Sequence, residues 1–324
     1  MLEQIIFERY DSLSTLTEQS LRLLHQQQQT WPMLIDGYAA FADVKQKPIE
    51  CDGFSVTLQW NPKRIVSSAA KVDPKTIKER KCFLSIENLP VEQRGVLYRG
   101  EFLVLCNPAP IVDKHFTISH IHHVPQTVEP YFRTMLLLAQ DFSPSFTVFY
   151  NGPRCGASAP DHMHFQACPS GVIPVERDAM EASRRVPERS IDGVEILTLK
   201  NFGREAILLE SRDAAALESV FDRLMNAMRA EEKTEEEPKI NLLCSYADGA
   251  WRVTVFPRAK HRPDVYFKEG DEQVLLSPAS IDIGGLPVVP LERDFLRVDA
   301  PMIESIFREV SLTHDEVGRI IAAI

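Results

Sequence analysis

Residues 146–166 constrain the fold more than any other stretch of the 324-residue chain. Phe146–Tyr150 is an apolar run of aromatic and β-branched residues, which predicts a strand. A loop rich in Gly and Pro follows it, and His162–Gln166 then predicts a second short strand. The chain therefore enters a sheet, leaves it through a loop and returns to it within about twenty residues.

The second strand carries polar side chains at alternate positions. Alternate residues of a strand share a face, so we expect His162, His164 and Gln166 to point the same way. The loop before them contains Gly156 and Ser158, whose amide and hydroxyl donors can line a phosphate. Two imidazoles beside such a loop suit a metal pair, acid–base catalysis or attack of a histidine on phosphorus. A plain solvated strand face is the alternative.

Composition excludes several classes of protein. The net charge of −10 argues against nucleic acid as a partner. No apolar run of 18 residues and no basic-then-apolar N-terminus occur, so neither a membrane span nor a signal peptide is expected. The six cysteines have no CxxC spacing, which favours reduced thiols in a cytoplasmic protein.

A longer pattern runs through residues 151–166: Asn-Gly, then Gly-Ala-Ser, then His-x-His-x-Gln. It resembles the active-site signature of the histidine-triad superfamily. The closer resemblance is to the transferase branch, which contains galactose-1-phosphate uridylyltransferase, diadenosine tetraphosphate phosphorylase and GDP-hexose phosphorylase. Hydrolase members of the superfamily have a third histidine where this chain has Gln166.

The resemblance implies an α+β fold made of two fused histidine-triad-like units, an antiparallel sheet with helices packed on it. We expect an N-terminal helical extension at 1–53, a catalytic unit at 54–190, and a degenerate second unit with C-terminal helices at 191–324. Asp248 and Gly249 between two apolar alternating runs predict a hairpin within that second unit.

The resemblance also implies a mechanism, with His164, His162 and Gln166 as the catalytic residues. His164 attacks the α-phosphorus of a nucleotide or nucleotide-sugar and forms a nucleotidyl-histidine. A phosphate or sugar-phosphate acceptor then takes the nucleotidyl group, so the expected activity is a nucleotidyltransferase of phosphorylase type. A hydrolase and a non-catalytic nucleotide-binding protein are the alternatives. Gln166 argues against the first and the intact histidine motif against the second.

Further residues are candidates for substrate contacts, and the oligomeric state is left open, with a homodimer as one option. The α-phosphate is expected to meet donors at Asn151, Gly156 and Ser158. The candidates for the base are Asn107 and Pro110, and those for nucleotide phosphates are Arg64 and Lys71. A basic cluster made of Arg258, Lys260 and Arg262 is either an acceptor-phosphate site or a surface patch.

No cofactor is expected, and the metal expectation is also negative. Uridylyltransferases often carry a CxxC that forms a zinc site with two histidines. This chain has Cys82 but Ser85 at the second position, with His122 and His162 as the available histidines. Serine is a poor zinc ligand and structural zinc takes four N or S donors, so we expect a relic site without tightly bound metal.

Overall fold

The structure, a computed structural model, describes residues 1–11, 13–65 and 74–324. Its helices are α1 Leu2–Ile5, α2 Leu16–Thr30, α3 Pro32–Phe41, α4 Pro74–Glu79, α5 Phe132–Asp141, α6 Pro174–Asp178, α7 Ala214–Glu232, α8 Ser280–Ile283, α9 Glu292–Arg297, α10 Ala300–Val310 and α11 His314–Ala323. Its strands are β1 Ile6–Arg9, β2 Lys45–Glu50, β3 Ser55–Trp60, β4 Gly95–Tyr98, β5 Phe102–Cys106, β6 Phe116–His120, β7 Phe146–Asn151, β8 His164–Pro169, β9 Arg185–Ile191, β10 Val194–Leu199, β11 Ile207–Ser211, β12 Ile240–Ala247, β13 Ala250–Pro257 and β14 Val288–Val289.

Within the described ranges, eleven strands form one sheet in the order β1-β4-β5-β6-β8-β7-β12-β13-β11-β10-β9. Strands β4 to β8 and strands β9 to β13 repeat the same order, counted from the outer edge of each half. The two halves meet at the antiparallel pair β7·β12, where Phe149 lies opposite Leu243. Each half has a long helix between its third and fourth strands, α5 in the first and α7 in the second. The α+β fold with two fused units is thus confirmed.

Helices cover one face of the sheet. Helix α7 begins after Asp213, whose carboxylate accepts hydrogen bonds from two backbone amides of the first turn. Its buried stripe runs from Leu217 to Met228 at helical spacing. Phe221 of this stripe stacks on Phe132 of α5, with ring centroids 3.8 Å apart, and so joins the helices of the two halves.

The opposite face is covered by chain segments from both ends of the protein. A small sheet in the order β14-β3-β2 and the segment from residue 274 to α10 pack on it. Phe149 and Cys168 face this second core, whereas Phe165 faces the helices. His164 and Gln166, which alternate with Phe165, therefore lie under the covering segments.

Two local predictions were wrong. The many charged residues of the segment 176–189 predict a helix plus an exposed loop. In the structure, α6 ends at Asp178 and edge strand β9 begins at Arg185. Charged residues suit an edge strand because they discourage pairing with another chain. The acidic run at 231–238 predicts an exposed, solvated connector, yet Glu237 in this run is 7% exposed. None of the helices in the described part of the chain is long and apolar enough to cross a bilayer.

Candidate active site

His164 stands at the first position of β8 with one nitrogen engaged and one available. Its Nδ1 lies 2.8 Å from the backbone oxygen of His162, and a carbonyl can only accept, so Nδ1 carries the proton. Burial lowers the pKa of His164 to about 4, which keeps the imidazole neutral near pH 7. The lone pair of Nε2 is left for a ligand, the requirement for a histidine nucleophile.

His164 lines a cavity of about 550 Å³ between the sheet and the covering segments. A cavity of this size is within the range of small-molecule sites. Its remaining walls come from the turn after β5, the loop before β8, the segment 83–93, and the covering segments. The residues that line it include Trp31, Arg64, Arg80, Leu84, Gln93, Leu105, Asn107, Asn151, Gly156, Ser158, Gln166 and Arg262.

Gln166 is held in one orientation by a buried histidine. The Nδ1 of His115 accepts a hydrogen bond from the backbone N–H of Ile111, at 3.3 Å. The proton of this imidazole is therefore on Nε2, which donates to Oε1 of Gln166 at 2.8 Å. The carboxamide must then turn its NH₂ group away from His115, and Gln166 lines the cavity. Burial, with Arg64 nearby, lowers the pKa of His115 to about 3, so it stays neutral.

Asn151 at the end of β7 is oriented in the same manner. Its Oδ1 accepts hydrogen bonds from the backbone N–H of Ser280 at 2.8 Å, from the hydroxyl of Ser280 at 2.7 Å and from Nδ2 of Asn241 at 3.1 Å. Its NH₂ group is therefore the part left for the cavity. Gln126 ties the strands together by donating to the backbone oxygens of both Asn151 and His164. Two NH₂ donors thus accompany the free lone pair of His164.

The loop before β8 packs closely against the covering segment. Gly156 has a φ of +93°, and a Cβ at this position would lie 2.6 Å from the Cβ of Ala279, so glycine is required twice over. Arg80 holds the loop from outside: its Nη2 donates to the backbone oxygen of Ser158 at 3.0 Å and to Asp161 at 3.1 Å. Arg80 also lines the cavity, although no local sequence motif identifies it as a site residue.

The structure separates the three members of the basic cluster. Arg262 lines the cavity, and its Nε donates to the hydroxyl of Ser277 at 3.0 Å. Lys260 lies outside the cavity lining and pairs with Asp264 and Glu309 at 3.0 and 2.7 Å. A role of Lys260 at the cavity is therefore not supported.

The structure contradicts the predicted role of Arg258 in binding an acceptor phosphate. It is fully buried, and its guanidinium donates to Oδ1 of Asn241 and to the backbone oxygens of Val310 and Pro278. With its donors committed to these acceptors, Arg258 cannot hold an acceptor phosphate. It supports Asn151 from behind, through Asn241.

The other nucleotide candidates also divide. Arg64 lines the cavity and donates to the backbone oxygen of Ala109 at 3.1 Å, whereas Lys71 is outside the described residues. Asn107 lines the cavity, but its carboxamide holds the turn by contacts to Ala109 and Thr117.

The structure does not support the predicted contact of Pro110 with the base. It is absent from the cavity lining, and its carbonyl accepts from Nδ2 of Asn61 at 2.9 Å. Pro108 and Ala109 form that wall instead.

His162 does not share the cavity with His164, because β8 begins only at residue 164. Its Nε2 donates to the backbone oxygen of His120 at 2.8 Å, and its Nδ1 lies 3.3 Å from Sγ of Cys82. The ring of His123 stacks on it at 5.1 Å. The contribution of His162 to the site is its backbone oxygen, which orients His164.

In the described ranges, one group of side chains could hold a metal ion, made of Cys82, His123 and His162. Ligand atoms of Cys82, His123 and His162 all lie within 4.8 Å of one another, so His123 takes the place expected for His122. Ser85 is buried, and its hydroxyl has no hydrogen-bond partner in the described part of the chain. Three N or S donors are one short of a structural zinc site. The expected absence of tightly bound zinc stays a prediction, to be checked by metal analysis of the purified protein.

Two family models match this chain, one for each half of the sheet. Residues 23–169 match the model of a domain of unknown function, DUF4922, and residues 174–324 match that of the GDPGP1-like C-terminal domain. A search of curated proteins gave no match.

Solved structures of yeast Ap4A phosphorylase Apa2 share the fold. The complex with AMP is 17% identical with a TM-score of 0.57, over 90% of this chain and 96% of that chain. The complex with Ap4A is 15% identical with a TM-score of 0.55, over 92% and 98%. The chain therefore has the fold of these structures, and its residues 174–324 match the GDPGP1-like C-terminal domain.

Proposed function

We propose that this protein is a nucleotidyltransferase of the phosphorylase type, in the EC 2.7.7 class, which passes a nucleoside monophosphate through a covalent intermediate on His164. The observation that carries the proposal is the neutral imidazole of His164. Its Nδ1–H is fixed on a carbonyl and its Nε2 lone pair is free, beside the NH₂ groups of Asn151 and Gln166.

The first step is displacement at the α-phosphorus of an NDP-sugar or dinucleoside polyphosphate. Nε2 of His164 forms a bond to phosphorus, and the bond from phosphorus to the bridging oxygen breaks. The leaving phosphate keeps that electron pair. The backbone oxygen of His162 stabilises the positive charge that develops on the ring. The NH₂ groups of Asn151 and Gln166 donate to the phosphoryl oxygens, where negative charge spreads in the transition state.

The second step reverses these bond changes with a new nucleophile. An oxygen of phosphate or of a sugar phosphate attacks the phosphorus, and the P–N bond breaks. The electron pair returns to Nε2, so His164 is regenerated without a net proton change on the ring. The cations Arg64, Arg80 and Arg262 line the same cavity and offset the charge of the incoming anion.

Two further observations support transfer over hydrolysis. Gln166 is an amide, and neither its NH₂ group nor its carbonyl can accept a proton from water at neutral pH. The relatives with the same fold are phosphorylases whose structures hold AMP and Ap4A, which supports a nucleotide as substrate here.

Trapping the intermediate tests the proposal. The protein is incubated with α-³²P-labelled GDP-sugars, UDP-sugars and dinucleoside polyphosphates, quenched, and examined for label that is stable to base and lost in acid. We expect the label on wild-type protein, its release by phosphate as a nucleoside diphosphate, and no label on His164→Ala. Release of nucleoside monophosphate by water at the same rate without phosphate would indicate the hydrolase instead.

A further inference from the structure

One titratable side chain in the cavity has no role in the chemistry above. His261 lies four residues after the end of β13 and lines the cavity beside Arg262. Its backbone oxygen accepts from Nη2 of Arg258 at 3.3 Å, but its ring makes no hydrogen bond to any group in the described ranges of the chain. The imidazole is half-buried. Because buried polar groups are ordinarily paired, both ring nitrogens have capacity for a ligand.

Buried contacts hold His261 near His164. The guanidinium of Arg258 donates both to the backbone oxygen of His261 and to Oδ1 of Asn241. Asn241 donates to Oδ1 of Asn151 at 3.1 Å, and Asn151 and His164 lie at the adjoining ends of the paired strands β7 and β8. Arg258 cannot bind a phosphate itself, but it fixes the segment that carries His261 beside the catalytic strand.

The covering segment connects the same region to the loop before β8. The Nε of Arg262 donates to the hydroxyl of Ser277 at 3.0 Å. Two residues further on, Ala279 packs so closely on Gly156 that a Cβ at Gly156 would lie 2.6 Å from its own Cβ. Ser277 and Ala279 both line the cavity. His261 and Arg262 therefore lie at the part of the cavity that also contains the loop expected to meet phosphate.

The charge of the cavity lining favours an anion. The described residues of the lining include one carboxylate, Asp282, and four cations, Lys63, Arg64, Arg80 and Arg262. The carboxylate accepts from the backbone N–H groups of Ala279 and Val288 at 3.0 and 2.8 Å, so it already has donors of its own. An excess of cations around one cavity, in a chain of net charge −10, indicates an anionic ligand.

His261 differs from these cations because it is neutral. Burial, with the positive charges of Arg262 and Arg258, lowers the pKa of His261 to about 3. Near pH 7 its ring therefore has one N–H donor and one lone pair. Such a ring can donate to an ionised phosphate oxygen or accept from a P–OH group, and inorganic phosphate has both kinds of oxygen near neutral pH.

We infer that His261 is a further residue of the acceptor subsite, where its ring forms a hydrogen bond with the incoming phosphate while Arg262 offsets the charge of that anion. This role rests on the proposed function, in which phosphate or a sugar phosphate is the acceptor. Attack on the nucleotidyl-histidine forms a P–O bond and breaks the P–N bond, and no proton passes to or from His261. His261 therefore binds and positions the acceptor and is neither its acid nor its base.

Equilibrium binding of inorganic phosphate and of a hexose 1-phosphate, without nucleotide, tests this role without turnover. His261→Phe keeps a ring and removes both nitrogens, so affinity for both anions should fall by about 10-fold. His261→Gln keeps a donor and an acceptor and should recover most of that affinity. Lys260→Ala, at the neighbouring residue outside the cavity lining, is the matched control and should bind like wild type. Affinity for nucleoside monophosphates should be the same in all four proteins.

Several results would overturn the inference. Equal phosphate affinity in wild type and His261→Phe, or no phosphate binding to wild type, would exclude the contact. A loss that affects only the hexose 1-phosphate would place His261 at the sugar. An equal loss of nucleoside monophosphate affinity in both His261 variants would indicate a purely structural role.

A phosphate chase of the labelled enzyme gives a second measurement. The phosphate concentration for half-maximal release of label should rise about 10-fold in His261→Phe, with a smaller change in the maximal rate. An unchanged half-maximal concentration would contradict the role of His261. Failure of wild-type protein to take up label would contradict the proposed function instead, and the binding comparison would still decide the role of His261.

Discussion

Strands β8 and β13 occupy the same place in the repeated strand order, but only β8 carries a site. Gln166 on β8 pairs with Phe149, and Thr254 on β13 pairs with Leu243. Because Phe149 and Leu243 face each other at the centre of the sheet, Thr254 is the counterpart of Gln166.

Two residues earlier on each strand, Arg252 is the counterpart of His164. Arg252 contacts Glu210 on the neighbouring strand, and Arg185 pairs with the same carboxylate at 2.6 Å. His164 has a free lone pair at the corresponding point. The difference between a structural and a functional position is therefore whether the polar groups satisfy one another or leave capacity for a ligand.

The connections that precede β8 and β13 also differ, because the first contributes residues to the cavity and the second does not. Residues 152–163 join β7 to β8 and supply Gly156 and Ser158 to the cavity. Only Asp248 and Gly249, both at positive φ, join β12 to β13. A tight hairpin turn of this kind closes the second half without leaving room for a phosphate-lining loop.

The largest predicted difference between the two halves is in the transfer rate, when His164 and its counterpart Arg252 are each substituted. We expect His164→Ala to reduce transfer by roughly 10³-fold or more, because the covalent route is lost. Arg252→Ala should leave transfer at the wild-type rate and lower the free energy of unfolding by about 1 kcal/mol, since its ion pair is partly exposed. Steady-state rates and urea denaturation measure both. A large loss of transfer in Arg252→Ala with unchanged stability would contradict the comparison.

The second half should contribute to catalysis through Asn241. We expect Asn151→Leu to lower kcat by about 10² to 10³, the usual effect of removing a preorganised donor to a developing charge. Asn241→Ala leaves Asn151 in place but removes a partner that orients it, so kcat should fall by about 10-fold with little change in KM.

Gln19→Leu is the control for loss of a buried carboxamide outside the site. It should lower the melting temperature without lowering kcat. If Asn241→Ala and Gln19→Leu change kcat equally, the connection from Asn241 to Asn151 has no catalytic effect.

The basic cluster should act through one member. We expect Arg262→Ala to slow transfer from the nucleotidyl-enzyme to phosphate by about 10-fold, because a cation at the cavity is lost. Formation of the labelled enzyme should be nearly unchanged. Single-turnover labelling followed by a phosphate chase measures the two steps. Lys260→Ala, whose ammonium pairs with Asp264 and Glu309, should match wild type in both. Equal chase rates in all three proteins would leave the cluster without a role in acceptor binding.

The smallest effect concerns Glu237, which comes from the second half and lies beneath the first. It accepts from the hydroxyl of Tyr150 at 2.7 Å and from the backbone N–H of Val128 at 2.6 Å. Burial raises its pKa to about 7. Between its ordinary pKa and about 7, the folded state binds more protons than the unfolded state, so stability falls as pH rises.

Denaturation at pH 5 and pH 8 measures this effect. Relative to Glu237→Gln, the wild-type protein should lose about 1 to 3 kcal/mol between these pH values. Glu236→Gln, at the exposed neighbour, should follow wild type. The same pH dependence in all three proteins would mean that Glu237 does not titrate abnormally.

The local patterns of the sequence were sufficient for much of the fold. Apolar runs at 54–60, 146–150, 240–246 and 251–256 predict β3, β7, β12 and β13, and apolar residues at helical spacing from Leu217 to Met228 predict α7. Thr followed three residues later by Glu predicts a capping box, and Thr313 and Glu316 form one at the start of α11, each side chain accepting from the other's backbone N–H. These features depend on residues that are close in sequence, so the local pattern of the chain is enough to predict them.

The supporting contacts of the site could not be predicted this way. His115 orients Gln166 from another strand, Arg80 holds the loop before β8, and Asn241 reaches Asn151 across the central strand pair. Nothing in the local pattern around these residues indicates which distant group each one meets. His162 shows the converse: spacing suggested a shared face with His164, but the strand starts too late for that.

Because β7 pairs with β12, the two repeated halves cannot be separated into independent chains without exposing the edge of a strand. All six residues of β7 are buried, and a chain that stopped near residue 190 would present this strand as an open, apolar edge. It would also lack Ser280 and Asn241, so Asn151 would lose its orientation. The first half contains every residue of the histidine motif, but alone it would be prone to aggregate and its site would be poorly assembled. The second half therefore acts as a permanent partner, which a single unit would otherwise have to find in another chain.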